Sequence, residues 1–418
     1  MNPFKPDWPE AEDRLTALWE RRHAGRPCIA VTAPLEAAAH RTELWNLLTK
    51  EGRPDAEAAP VTAAIGAAMP EPPSNMARWL DPDWVVTEAL HRISHTWWGG
   101  EALPSYLMLA GWVVSLGGQP RFGPDTIWFE PLTSVDLSQP TPFRNRADDP
   151  WIARYRALYL AMAQAAGWDR FLVGKPTLLP ANDLLSMHMG TQPFLIALMD
   201  EPDWMAAAIL QGARDQLRVR FELAELVRPI HRFWYGNAGW MPFWAPEPYA
   251  GTQSDVSCML SPEQFERFVV PELLLYGQSV GALWYHLDGG NARQHLPRLL
   301  ALPTMRVMQY VPTPGEPPNG REHLPLYRAI QEAGCIVHVQ VPVEEVEPLV
   351  RALDPALLML ETAVTTPDEG GELLAAVERW TAARWGRAQR HRPGVSEASA
   401  VLPPQRPWPR YNHLPRMT

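Results

Sequence analysis

A histidine and an aspartate stand one residue apart in ALWYHLDGG, at the end of an apolar run and directly before a glycine pair. Side chains alternate along an extended strand. His286 and Asp288 should therefore share a face with Trp284, while Leu283, Tyr285 and Leu287 share the other. An imidazole and carboxylates on converging strand ends can hold a divalent metal and leave a position open for substrate or water; they can equally act as an acid–base set without metal. The same arrangement recurs nearby. Gln309 or Tyr310 ends MRVMQYV, His338 and Gln340 share a face of CIVHVQV, and Glu361 closes LLMLETA. Asp255 begins SDVSCML, Lys175 ends RFLVGK, and Tyr235 and Asn237 end PIHRFWYGN. A polar group at a strand end also serves as a turn or cap residue, the ordinary role of an Asp before Gly. Only convergence of several such ends separates the two roles.

Those apolar runs must be strands set between helices. PWIARYRALYLAMAQAAGWD has helical periodicity, Ser261 with Gln264 three residues on forms a capping-box pattern before Pro262, and a further helix starts at LPLYRAIQEAG. PDWVVTEALHRISHTWWGG looks helical with a glycine stop, and RPCIAVTAP, DTIWFEPL, RFLVGKPTLLP, PIHRFWYGN and SDVSCML look like strands. Strands alternating with helices in this number specify a parallel sheet and favour a closed (β/α)8 barrel, with the reactive face at the C-terminal strand ends. An open doubly wound sheet is second, weakened because no GxGxxG or P-loop pattern follows any strand. That also leaves no nucleotide cofactor expected.

The 418 residues carry a net charge of −10, which argues against nucleic acid as a partner, since phosphate binders cluster cations. A small molecule is expected. The start, MNPFKPDWPEAEDR, has acids and prolines where a secretory signal would have a basic and then apolar stretch, and no run is long enough to span a bilayer. The expectation is a cytoplasmic protein without membrane contact. The three cysteines, Cys28, Cys258 and Cys335, are too scattered for a disulfide framework or CxxC site. Nineteen tryptophans suit core packing more than a binding cleft.

The stretches GGEALPSYLMLAGWVVSLGG, GKPTLLPANDLLSMHMGTQPFLIALMDEPDWM, QSDVSCMLSPEQFERFVVPEL and YHLDGGNARQHLPRLLALPTMRVMQYVPTPGEPP, with DTIWFEP, together resemble the uroporphyrinogen decarboxylase-like superfamily, over residues 82–363. The resemblance implies a (β/α)8 barrel and one of two activities: cofactor-free uroporphyrinogen decarboxylation, or zinc-dependent methyl transfer between corrinoids and thiols. In the methyltransferases a His-x-Cys pair and a later cysteine bind zinc. His286 matches the histidine, but Asp288 stands where the first cysteine would be and Glu361 where the later one is expected, a harder ligand set. RRHAGRP resembles the decarboxylase arginine motif, yet precedes the first strand where the family's follows it, so Arg22 and Arg26 do not carry that role.

These readings give residues 1–82 as an N-terminal helix, first strand and loop-rich extension, 83–386 as the barrel, and 387–418 as an irregular tail. Asp255, His286, Asp288 and His338 are expected to be catalytic. Gln253, Tyr235, Gln309, Gln340 and Asp183 are expected to contact substrate. His286, Asp288 and Glu361 are the expected ligands of zinc or another divalent metal. The leading function is a metal-dependent methyltransferase working with a corrinoid protein or a small methyl donor and acceptor. The alternatives are a metal-free decarboxylase of a uroporphyrinogen-like polycarboxylate, with Asp255 or Asp183 stabilising a protonated intermediate, and a glycan hydrolase using Glu247 and Glu361.

Overall fold

The computed structural model describes residues 2–35, 71–132, 134–233, 236 and 241–388. Its centre is a seven-stranded sheet of β1 (Cys28–Pro34), β2 (Thr96–Gly100), β5 (Ala250–Gln253), β6 (Leu283–Asp288), β7 (Met305–Val311), β8 (Ile336–Gln340) and β9 (Leu358–Ala363), in the order β2-β1-β9-β8-β7-β6-β5. Neighbours pair in parallel except β2, which runs antiparallel to β1. A separate hairpin joins β3 (Pro120–Phe122) to β4 (Ile127–Phe129), so DTIWFEPL is a strand outside the main sheet.

The expected alternation of strands and helices on a mostly parallel sheet is present, and the described residues place seven strands in its ladder, with β2 and β5 at the two ends, where a closed (β/α)8 barrel has eight paired all round. Four local readings change. TWWGG is the antiparallel strand β2, not the end of the helix Pro82–Ser94. RFLVGK makes only an isolated bridge from Leu172 to Ser105, because Gly174 takes a left-handed φ of 69° and Pro176 follows, and neither suits a ladder. SDVSCML is a 3-10 helix, Asp255–Met259, and the strand is the AGTQ before it. The described part of PIHRFWYGN forms no strand, and Tyr235 and Asn237 lie outside the described residues, as does the chain beyond Ala388.

The two faces of the sheet differ as alternation requires. Leu283, Tyr285 and Leu287 of β6, with Val337 and Val339 of β8, pack on Phe265, Leu273 and Tyr276 of the covering helices Pro262–Phe268 and Val270–Val280. Cys28, Ala30, Trp284, Val307, Ile336 and Met359 point the other way and pack on Leu172, Phe233 and Trp244, with Leu15 and Trp19 of the helix Trp8–Trp19 closing that core. On this second face each strand follows its apolar residue, two positions on, with a polar one: Trp284 by His286, Val307 by Gln309, Ile336 by His338 and Met359 by Glu361. The apolar layer anchors the strands. The polar layer above it is where chemistry can occur.

Ser261 accepts from the Gln264 N–H and Gln264 returns the bond, the capping box read from the sequence, worth about 1 kcal/mol. The helix Val270–Val280 stops at Gly281, whose φ of 97° lets the chain turn into β6. No described helix is long and apolar enough to cross a membrane.

Candidate metal centre

Asp255, His286 and Asp288 converge: each offers one ligand atom, and these atoms lie within 4.8 Å of one another. His286 and Asp288 come from the end of β6, where alternation aims them together. Asp255 comes from the turn after β5. Because β5 and β6 are parallel, with Gln253 opposite His286, the chain leaving β5 sets Asp255 beside that pair. His286 is buried, whereas the Asp288 side chain is about half exposed at 47% and forms the accessible edge of the cluster.

The orientation of His286 is set by its neighbour on β7. The Gln309 amide donates through Nε2 to the Tyr310 carbonyl at 2.9 Å, so its oxygen is the atom facing His286 Nδ1 and accepts from it. That places the ring proton on Nδ1 and turns an unprotonated Nε2 toward Asp288 Oδ1, 3.8 Å away. Burial pushes the imidazole down to about 4, which keeps the ring neutral near pH 7. A neutral imidazole whose far nitrogen donates to an amide oxygen has the arrangement of a metal ligand.

Asp255 is held by two acid-side contacts and crowded by others. Asp183, itself buried, accepts the backbone N–H groups of Asp255 and Val256, both at 3.1 Å, and so caps the turn. Gln253 Nε2 donates to Asp255 Oδ2 at 2.7 Å. Asp255 Oδ1 is buried with no hydrogen-bond partner. Burial first, then the charges of Asp183 and Asp288, hold the Asp255 carboxyl well above the ordinary carboxylate range. A buried carboxylate oxygen that lacks a donor, beside a second acid and a neutral imidazole, needs a cation or a proton. The residues therefore fit a divalent ion. One nitrogen and two carboxylates favour a borderline or hard metal over a thiolate-loving one.

Glu361 does not belong to this cluster. It lies on β9, three strands from β6, and its Oε1 is 2.7 Å from His338 Nε2. His338 is fully buried, and its Nδ1 accepts from Trp284 Nε1 at 3.1 Å, so in the neutral ring Nε2 carries the proton and donates to Glu361. Both ring nitrogens are thereby engaged. Among the residues expected to contact substrate, Gln309 is fully buried between His286 and Tyr310, and Asp183 is occupied with backbone N–H groups. Gln253 bonds Asp255, Gln340 is exposed opposite Glu361 in the β8–β9 register, and Tyr235 is outside the described residues. Glu247, the other acid of the glycan-hydrolase reading, accepts from Trp19 Nε1 at 3.1 Å. The sequence marked Asp255 as catalytic but placed Glu361 among the ligands. The capping role of Asp183 carried no sequence signal, because it joins segments 72 residues apart.

The chain is similar to a solved methyltransferase from Methanosarcina mazei. The likeness has a TM-score of 0.50 at 15% identity, covering 88% of this chain and 98% of that one. It shows a shared fold. No family model and no curated protein matches the chain.

Proposed function

We propose that this protein is a divalent-metal-dependent methyltransferase of the uroporphyrinogen decarboxylase-like type, with Asp255, His286 and Asp288 holding the ion. The observation that carries the reading is the convergence of those three side chains, one of which, Asp255, carries a buried oxygen with no hydrogen-bond partner. A bound divalent cation would act as a Lewis acid on a methyl acceptor, lowering the pKa of its thiol, hydroxyl or amine. The rest is done by the chain. Gln309 fixes the tautomer and aim of His286, and the Asp183 cap fixes the backbone of Asp255. Asp288, on the open edge, faces the direction from which a small acceptor and a methyl donor approach. A corrinoid protein or small methylated molecule is the proposed donor.

The test is metal analysis of protein purified without chelator and then equilibrated with zinc, manganese or iron. One ion per chain is expected, lost in His286→Ala. Wild-type protein that binds none of the three metals would sink the reading. Metal-free decarboxylation of a polycarboxylate is the second reading, favoured by the Asp255 carboxyl, which burial and the neighbouring acids make easier to protonate than an ordinary carboxylate. It predicts turnover that persists in chelator.

A further inference from the structure

Next to the cluster, on the same face of the sheet, is a cavity with ≈ 60 Å³ open to the centre of a water molecule, lined by Lys175, Arg220, Thr252, Gln253 and Trp284. A single water needs about 10–15 Å³ on this measure, so a group of a few heavy atoms fits. The cavity holds two cations of the same sign. Lys175 and Arg220 are each 7% exposed, and neither makes a salt bridge among the described residues. Lys175 Nζ has no hydrogen-bond partner and lies 3.5 Å from the centre of the Tyr249 ring. Arg220 reaches the Gly251 carbonyl with Nη1 at 3.4 Å, and its Nε has no partner. Glu272 acts on Arg220 only through space, since its oxygens accept from Ala181, Asn182 and the Tyr276 hydroxyl.

Burying two cations side by side is costly, and an ion pair normally offsets that cost. Here Lys175 and Arg220 line one small space, and Lys175 Nζ and Arg220 Nε find no acceptor from the chain. We propose that the cavity is an anion subsite for the substrate, receiving a compact oxyanion, a carboxylate or a phosphate, between Lys175 and Arg220. Gln253 lines the cavity and also donates to Asp255, so a bound anion lies one side chain from the metal cluster. The Lys175 amine, held below its ordinary range by burial and by Arg220, gains the counter-charge that keeps it protonated. The assignment to substrate rests on the metal-site reading; the binding of an anion does not.

The test uses the full chain in chelator, titrated at constant ionic strength with acetate and with inorganic phosphate, so that anion and metal binding fail independently. Saturable binding of at least one is expected, weakened about 30-fold or more in Lys175→Met. Gly251→Ala is the second variant. Its new Cβ would stand 3.1 Å from Lys175 Cε and 3.2 Å from Nζ, crowding the subsite with every charge kept. It should weaken binding too. Tighter acetate identifies a carboxylate substrate, and tighter phosphate a phosphorylated one. No saturable binding by the wild type, or wild-type affinity in either variant, overturns the proposal.

Discussion

His286 Nδ1 and the Gln309 side-chain oxygen are hydrogen-bonded across the β6–β7 pair, at the point where the register sets the two residues opposite each other. The bond decides which imidazole nitrogen faces Asp255 and Asp288. A site that depends on this aim should be sensitive to Gln309 although Gln309 is not itself a ligand.

Gln309→Leu is expected to lower zinc affinity by about 10- to 100-fold, the usual effect of removing a partner that orients a ligating histidine. Gln309→Glu keeps an acceptor for Nδ1–H and should recover most of it. Competition against a chelating dye measures both, with circular dichroism to check folding. Equal affinity in wild type and a folded Gln309→Leu would remove the orienting role.

Asp255→Asn and Glu361→Gln separate the two ligand sets. The first should lose its metal, and the second should keep it while altering only the partner of His338. In chelator, Asp255→Asn should also unfold at a urea concentration at or above that of the wild type, because it relieves crowding with Asp183 and Asp288. Retention of metal by Asp255→Asn, with loss in Glu361→Gln, would restore Glu361 as the ligand.

His231 predicts an acid-side loss of stability. It is fully buried, accepting the Val173 N–H at Nε2 and donating from Nδ1 to the Gly167 carbonyl, and burial lowers it to about 4. The unfolded chain, with an ordinary pKa near 6.5, binds a proton at a pH where the folded chain does not. Stability is therefore complete above about 6.5 and falls as the pH drops toward 4, by up to about 3 kcal/mol. In His231→Gln that part of the pH dependence of the urea midpoint should vanish. An unchanged slope would exclude His231 as its source.

Lys175→Met should stabilise the anion-free protein by about 1–3 kcal/mol, since an apolar chain of similar length replaces an amine with no hydrogen-bond partner. Thermal melts without added anion measure it. A marked loss of stability would instead assign Lys175 a packing role through Tyr249.

Much of the local structure was legible in the chain because it depends on near neighbours. The helix over 150–166 and the box at Ser261 and Gln264 follow from spacing a few residues long. The weak points were segments whose backbone partners come from elsewhere. SDVSCML alternates well enough for a strand, but Asp183 takes up the N–H groups of Asp255 and Val256, and the segment becomes a turn. RFLVGK is apolar enough for a strand, but its glycine and proline leave it a single bridge.

Sequence by itself determined that His286 and Asp288 share a face, because a period of two on β6 leaves no other arrangement. It also determined the apolar layer beneath them. Only the tertiary structure decided their third partner. Glu361, three strands away on β9, is taken up by His338 of the adjoining β8, whereas β5 is the immediate neighbour of β6 and delivers Asp255. Strand order is a long-range property, and no spacing along the chain encodes it.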